Sequence, residues 1–150
     1  IIGEACHYID LISYFTSDKI KSVLMAPIGK EVKENIDTAS IFLKYKNGSL
    51  GVINYFSNGN KSYPKERIEI FQNGKNIVID NFRKIEFYGY SSKNFSKSQD
   101  KGHKNLLKNW YSCIKNGGSS LISLDSIYNT TSASFSCIES IKKNKWIDVE

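Results

Sequence analysis

The sequence predicts an α+β domain with an open, mostly antiparallel sheet covered by helices on one face. Three observations predict it: helical periodicity toward both ends of the chain, period-two alternation through its middle, and Asn-Gly dipeptides joining the alternating runs. Helices at the ends and strands between them build an α+β layer rather than a parallel α/β fold. The uncovered face of such a sheet must be met by something else, such as another subunit. At 150 residues and 17.1 kDa, one domain over residues 1–150 is expected.

The first helix is expected from Glu4 to about Thr16. At about 100° per residue, Ala5, Ile9 and Ile12 point one way, flanked by Tyr8 and Phe15, while His7, Asp10 and Tyr14 lie opposite. "TSD" at 16–18 ends it, and "KIKSVLMA" has the β-branched character of a strand running to about Pro27. A charged surface loop is expected from Gly29 to Asn35. Asn47-Gly48 and Asn73-Gly74 then join two pairs of alternating runs, since Asn and Gly tolerate the positive φ of tight hairpins. "KIEFYGY" supplies a further strand of the same antiparallel meander. From Asp100 the period becomes helical again: Leu106, Leu107, Trp110 and Ile114 recur until Asn116-Gly117-Gly118 stops the helix. A last helix starts near Ser123 or Leu124, with Ile127, Thr131, Ser134, Ile138 and Ile141 as its apolar stripe. It ends at "KKNK", and "WIDVE" reads as a short final strand.

Composition narrows the function. Hydrophobic residues make up 40% and charged residues 24%, with two prolines and ten glycines, as in an ordinary folded protein. No apolar run is long enough to span a bilayer, and no basic leader precedes an apolar stretch, so a cytoplasmic protein without membrane contact is expected. Cys6, Cys113 and Cys137 are far apart and odd in number; they read as buried or half-buried thiols, not as a disulfide framework or a zinc site. The formal charge of +6 comes from lysines scattered along the chain, with no basic motif beside them, so nucleic acid is not the expected partner.

His7 stands three residues from a carboxylate on each side, Glu4 before it and Asp10 after it. On a helix both can approach the imidazole from one side, and negative charge nearby favours the imidazolium. That suits a general acid or base; a solvated surface histidine is the alternative. His103 is the only other histidine, and no H-E-x-x-H or C-x-x-C spacing occurs, so no metal site is expected. In "DKGHKNLL", His103 opens a helix: it is either an exposed residue beside an Asp100 cap or first-turn acid, or a substrate contact at a cleft mouth. Lys65 and Arg67 in "PKERIEIF" can bind an anionic or hydroxyl-rich ligand, or simply decorate a strand edge. There is no G-x-G-x-x-G and no G-x-x-x-x-G-K-[ST], so the chain does not cradle a dinucleotide or a nucleoside triphosphate by itself.

"GEACHYIDL", "DTASIFLKYKNGSLGVINY", "PKERIEIF" and "DKGHKNLLKNW", in this order, resemble the C-terminal domain of the glucose-fructose oxidoreductase / inositol dehydrogenase / MocA superfamily. The resemblance runs over nearly the whole chain. It implies the substrate-binding and oligomerisation domain of an NAD(P)-dependent oxidoreductase acting on a hydroxyl of a sugar, cyclitol or nucleotide sugar. It also implies an upstream Rossmann domain of the same polypeptide, which would bind NAD or NADP, and a homo-oligomer formed through the sheet. In that family a lysine of the cofactor domain works with an aspartate and a histidine at the start of the C-terminal domain. The histidine corresponds to His7. The aspartate position, four residues earlier, is Gly3 here, with Glu4 one place later; either Glu4 takes over the carboxylate role or His7 acts with the lysine alone, and Asp10, the aspartate of H-x-x-D-L and a substrate-binding candidate, is expected to orient or pack near the helix rather than exchange protons. Because of Gly3, a non-catalytic binding or dimerisation module of the same fold is the rival expectation.

Overall fold

The computed structural model describes residues 2–29 and 36–150, and the chain gathers into two compact units. Unit 1 comprises Ile1–Asn58 and Ile122–Glu150; unit 2 comprises Gly59–Leu121. The expected α+β composition with antiparallel pairing is present, but the strands form two four-stranded sheets, not one meander. Of the loop expected from Gly29 to Asn35, all but Gly29 lies outside the described residues.

In unit 1, α1 (Ile2–Thr16) is followed by β1 (Ile20–Pro27), β2 (Thr38–Tyr45) and β3 (Leu50–Phe56). The helix turns into the strand at Ser17, whose φ of 51° breaks the helical path. Gly48 adopts a φ of 88°, its N–H donates to the Tyr45 carbonyl, and Tyr45 N–H donates to Ser49 O. Only the glycine of Asn47-Gly48 uses positive φ; this is a type I turn closed by a glycine bulge rather than a two-residue turn. Asn47 instead receives the Asp18 carboxylate at its N–H and donates through Nδ2 to Thr16 O, fastening the hairpin to the end of α1.

Unit 2 holds β4 (Arg67–Gln72), β5 (Lys75–Asp80), β6 (Lys84–Tyr88), the two-residue β7 (Phe95–Ser96) and α2 (His103–Asn116). Its sheet runs β4-β5-β6-β7. Here both Asn73 and Gly74 have positive φ, 50° and 72°, so the second Asn-Gly hairpin is the two-residue primed turn that its sequence predicts. Asn81 and Phe82 do the same between β5 and β6, without an Asn-Gly to signal it.

The chain then returns to unit 1 through α3 (Leu124–Lys143) and β8 (Ile147–Asp148), completing the sheet order β3-β2-β1-β8. Ser123 caps α3, its side chain accepting from Ser126 N at 3.1 Å, and Asn144 ends it in the left-handed region. The helix buries Thr130, Ala133, Ser134, Cys137, Ser140 and Ile141. This corrects the expected stripe: Ile127 is 47% exposed and Thr131 lies in solvent. Two faces explain the difference. The large residues Leu124, Ile127, Tyr128 and Phe135 form one, left exposed, while a row of small residues forms the buried one and brings the helix close to the sheet. A hydropathy stripe averages the two.

α3 is bound to β1 by side chains acting on strand backbone. Asn129 Oδ1 accepts from Ile20 N at 2.8 Å and its Nδ2 donates to Ile20 O at 3.2 Å. Ser140 Oγ accepts from Met25 N at 3.0 Å and donates to Lys145 O at 2.7 Å. The Ile20 and Met25 groups are buried, where an unpaired peptide group is costly. Above the sheet, α1 contributes Ala5 and Ile9 to the same core as Val23, Met25, Ile41, Leu43, Ile53, Ala133 and Cys137. A side chain at Gly51 would bring its Cβ to 2.8 Å from Ile12 Cγ2, so α1 lies against β3 only because that residue is glycine. Ser13 Oγ donates to Ile9 O, which leaves Tyr45 OH as the donor in the 3.2 Å bond between them.

Asn129→Ala leaves both Ile20 backbone groups buried without partners. At about 1–3 kcal/mol for each orphaned group, unfolding stability should fall by roughly 2–4 kcal/mol, measured by urea denaturation. Burial also pushes the Tyr45 hydroxyl from 10.0 up to about 12, against the lowering effect of its Ser13 bond, and the Cys137 thiol from 9.0 up to about 12. Both groups hold their protons more tightly folded than unfolded. Their stabilising contribution is therefore complete below pH 9 and lost as pH rises toward 12. The urea midpoint should drop across that interval, and less steeply in Tyr45→Phe.

Candidate functional site

The sequence-predicted residues fall into two groups. Glu4, His7 and Asp10 all stand on α1 in unit 1, whereas Lys65, Arg67 and His103 belong to unit 2.

On α1 the anchored side is fixed by Ala5 and Ile9, each 1% exposed, with Tyr8 and Ile12 packed against the core. His7 and Glu4 are exposed and Asp10 is half-buried. The imidazole is thus presented by a helix whose opposite face is immobilised, which is how a rigid element displays a reactive group. Among the described residues, no hydrogen bond or ion pair joins His7 to Glu4 or Asp10; the two carboxylates are one turn away on the same helix, free to approach a ligand held at the imidazole. A Cβ built at Gly3 meets nothing within 4 Å, so crowding does not exclude a side chain at the position where the sequence resemblance leads us to expect an aspartate.

In unit 2, Arg67 is exposed at the start of β4 and is already engaged: its Nε and a terminal nitrogen both lie 2.8 Å from Glu69 Oε1. The Glu69 hydrogen bond and charge raise the guanidinium above its usual value and hold it cationic. Lys65 is exposed beside it, and His103 is exposed as the first residue of α2. Asp100 does not cap that helix, as the sequence suggested; the N-cap is Gly102, with a φ of 78° and no side-chain bond. The Asp100 Oδ1 accepts instead from Gly102 N at 2.8 Å, forming a turn that holds the left-handed glycine in place.

What joins these segments is a pair that the sequence did not single out. Glu66, 6% exposed between Lys65 and Arg67, receives the Lys101 Nζ at 2.7 Å on Oε1. Its Oε2 is buried and meets no donor among the described residues. The pair ties the strand start carrying Lys65 and Arg67 to the residue two places before His103. Gln99 Nε2 adds bonds of 3.0 Å to both oxygens of Asn81, and Asn81 N donates to Glu66 O at 2.7 Å. A buried carboxylate with one partner fixes geometry more than it stabilises. No local pattern in "PKERIEIF" signals that its glutamate faces inward, and its partner is 35 residues away.

Unit 2 is also where the basicity resides. It holds twelve of the 21 Lys and Arg but only five of the 15 Asp and Glu, so the lysines that read as scattered along the chain are concentrated in one unit. Among the described residues no cluster of His, Cys, Asp and Glu could hold a metal ion, and no helix is long and apolar enough to cross a membrane. The residues do not fit a dinucleotide either: Gly48, Gly74, Gly102 and Gly117, all with positive φ, serve hairpin turns and helix ends, and none belongs to a phosphate-cradling loop.

The family model of the GFO/IDH/MocA C-terminal domain matches residues 2–77, from the start of α1 into β5. Several solved structures share the fold. Levoglucosan dehydrogenase, in complex with NADH and levoglucosan, superposes with a TM-score of 0.78 at 16% identity, over 97% of this chain and 49% of that one. The WlbA dehydrogenase from Bordetella pertussis, in complex with NADH and UDP-GlcNAcA, gives 0.76 at 17% identity, over 98% and 45%. An oxidoreductase from Agrobacterium radiobacter, in complex with NAD+, L-tartaric acid and magnesium, gives 0.74 at 17%, over 97% and 48%. The chain therefore spans about half the length of the solved structures it matches. No curated protein matches its sequence. With a match over half of its residues, and with that match containing His7 and the first hairpin, this chain belongs to the GFO/IDH/MocA C-terminal domain family.

Proposed function

We propose that residues 1–150 form the C-terminal substrate-binding and oligomerisation domain of a cytoplasmic, NAD(P)-dependent oxidoreductase that acts on a hydroxyl of a sugar, cyclitol or nucleotide sugar. The observation that carries this reading is His7, displayed on the solvent side of a helix whose other side is locked into the core. Family membership and the NADH complexes of levoglucosan dehydrogenase and WlbA support the reaction class.

In this reading a nicotinamide cofactor, held by a Rossmann domain of the same polypeptide, supplies hydride chemistry. This chain supplies the proton chemistry and the substrate's seat. The imidazole of His7 takes the proton of the substrate hydroxyl, Glu4 provides the nearby carboxylate in place of the family aspartate, and Asp10 orients the sugar. Within unit 2, Lys65, Arg67 and His103, set in register by Glu66 and Lys101, are a separate group of side chains suited to binding substrate oxygens. The outer face of the unit 1 sheet supports a second role. Leu24, Phe42 and Val52 are paired neighbours across three strands, and Leu50 and Phe56 beside them are 61% and 49% exposed. A contiguous apolar surface of this kind fits another copy of the chain.

The rival reading, a non-catalytic module, is favoured by Gly3, where an open position lacks the family carboxylate. The full-length polypeptide decides between them when it is screened against polyols and nucleotide sugars with NAD and NADP. Turnover is expected, with His7→Ala lowering kcat by about 10²–10⁴-fold. Unchanged turnover in His7→Ala would remove the histidine from the mechanism, and no turnover with any substrate of the class would favour the module.

A further inference from the structure

The twelve cations and five acids of unit 2 give it a formal charge of +7, while the remaining nine cations and ten acids leave unit 1 at −1. Every acid of unit 2 is already met by a cation. Glu66 takes Lys101 at 2.7 Å, Glu69 takes Arg67 at 2.8 Å, Glu86 takes Lys84 at 2.8 Å, and Asp100 has Lys97 at 3.7 Å. The fifth, Asp80, is the strand partner of Arg67 on one side and of Lys84 on the other. The excess is therefore uncompensated, and like charges gathered in one unit repel one another unless an anion offsets them. Two of the uncompensated cations stand where unit 2 is most firmly tied. Lys65 directly precedes Glu66 and Lys104 comes three residues after Lys101, so the Glu66 to Lys101 bond draws together the two segments that carry them. Gln99 on Asn81 and Asp100 on the Gly102 N–H hold the approach to Lys104 in place. Both lysines are exposed, and among the described residues no ion pair engages either.

We propose that Lys65 and Lys104 hold a negatively charged group of the substrate, a phosphate or a carboxylate. This step rests on the function proposed above and narrows its substrate from hydroxyl compounds in general to anionic sugar derivatives. Arg67 and Lys101 beside them are committed to Glu69 and Glu66, and α2 has no acid in its first turn, so nothing in the adjoining residues competes for the two ammonium groups. An ammonium is a point charge that gains far more from a phosphate or carboxylate oxygen than from a neutral hydroxyl. His103, next to Lys104, is left to the hydroxyls. A long polyanion such as nucleic acid fits this surface poorly. On the sheet face that carries Arg67 and Lys84, the strand register places Glu69, Asp80 and Glu86 among the cations and interrupts any extended basic row.

The test is calorimetric binding of glucose, glucuronate and glucose 1-phosphate to the full-length polypeptide in excess NADH, at about 20 mM and about 300 mM NaCl. The Lys65→Gln/Lys104→Gln double variant removes the two charges at exposed positions, so the core is undisturbed. Lys115→Gln removes one charge from the far end of α2, about 16 Å along the helix from Lys104, and serves as the control. At the lower salt both anionic probes should bind about tenfold more tightly than glucose, as a charge-assisted contact provides. That preference should shrink at the higher salt, vanish in the double variant and persist in Lys115→Gln, and the tighter of the two anionic probes identifies the group as phosphate or carboxylate. Equal binding of all three sugars, no binding of either anionic probe, a preference that survives the double substitution, an equal loss in Lys115→Gln, or tighter binding of a short duplex DNA than of either probe would overturn the proposal. Oxidation of polyols and nucleotide sugars with NAD and NADP is assayed in parallel. An anion preference without oxidation would sustain the site and defeat the oxidoreductase reading; oxidation without an anion preference would do the reverse.

Discussion

The pair of hydrogen bonds between the Asn129 amide and the backbone of Ile20 is the constraint on which unit 1 depends. β8 pairs with β1 only at Ser22 and Val23, leaving most of that strand's length without a partner on one side. Asn129 at one end and Ser140 near the other provide polar closure, and Ala133, Ser134 and Cys137 between them are small enough to let α3 approach. The helix can then sit close to the strand while buried peptide groups stay paired. α1 is set against this assembly, held by the Tyr45 to Ser13 bond and by the space that Gly51 leaves for Ile12. The orientation of His7 toward solvent is the last consequence of that chain of contacts.

This arrangement explains what could be read in the sequence and what could not. α1, both Asn-Gly hairpins, the end of α3 and the final strand were legible, because each depends on local chemistry: a 3.6-residue period, a residue that accepts positive φ, an αL cap. The division of the strands between two sheets was not, since nothing in the alternation of β4 tells it to pair only with β5. α3 was found, but of its expected stripe only Ser134 and Ile141 lie buried, and the polar and small residues around them were missed. Asparagine and serine rank as polar on any hydropathy scale, and their value here lies in meeting Ile20 and Met25, more than a hundred residues away.

The site shows the same division. His7 was singled out by its carboxylate spacing and the family resemblance, and it is exposed on α1. Glu66 and Lys101 were not legible, because burial turns an ordinary surface pair into one that holds two segments in register. The family match ends at residue 77, so the part of unit 2 that contains Lys101, His103 and α2 lies beyond it. The concentration of lysines in that unit, together with the absence of any acid on α2, gives this half of the chain a chemical character that the overall charge of +6 conceals.

The most direct test of the central claim, that side chains of α3 complete β1 and thereby set α1, is native-state hydrogen exchange of the Ile20 and Met25 amides by NMR. The account predicts that both exchange as slowly as Ile41 in the centre of the sheet, and that in Asn129→Ala the Ile20 amide and the helix amides around His7 accelerate together. Fast exchange of Ile20 and Met25 in the unaltered protein, or an Asn129→Ala variant in which the His7 region keeps its protection, would contradict it.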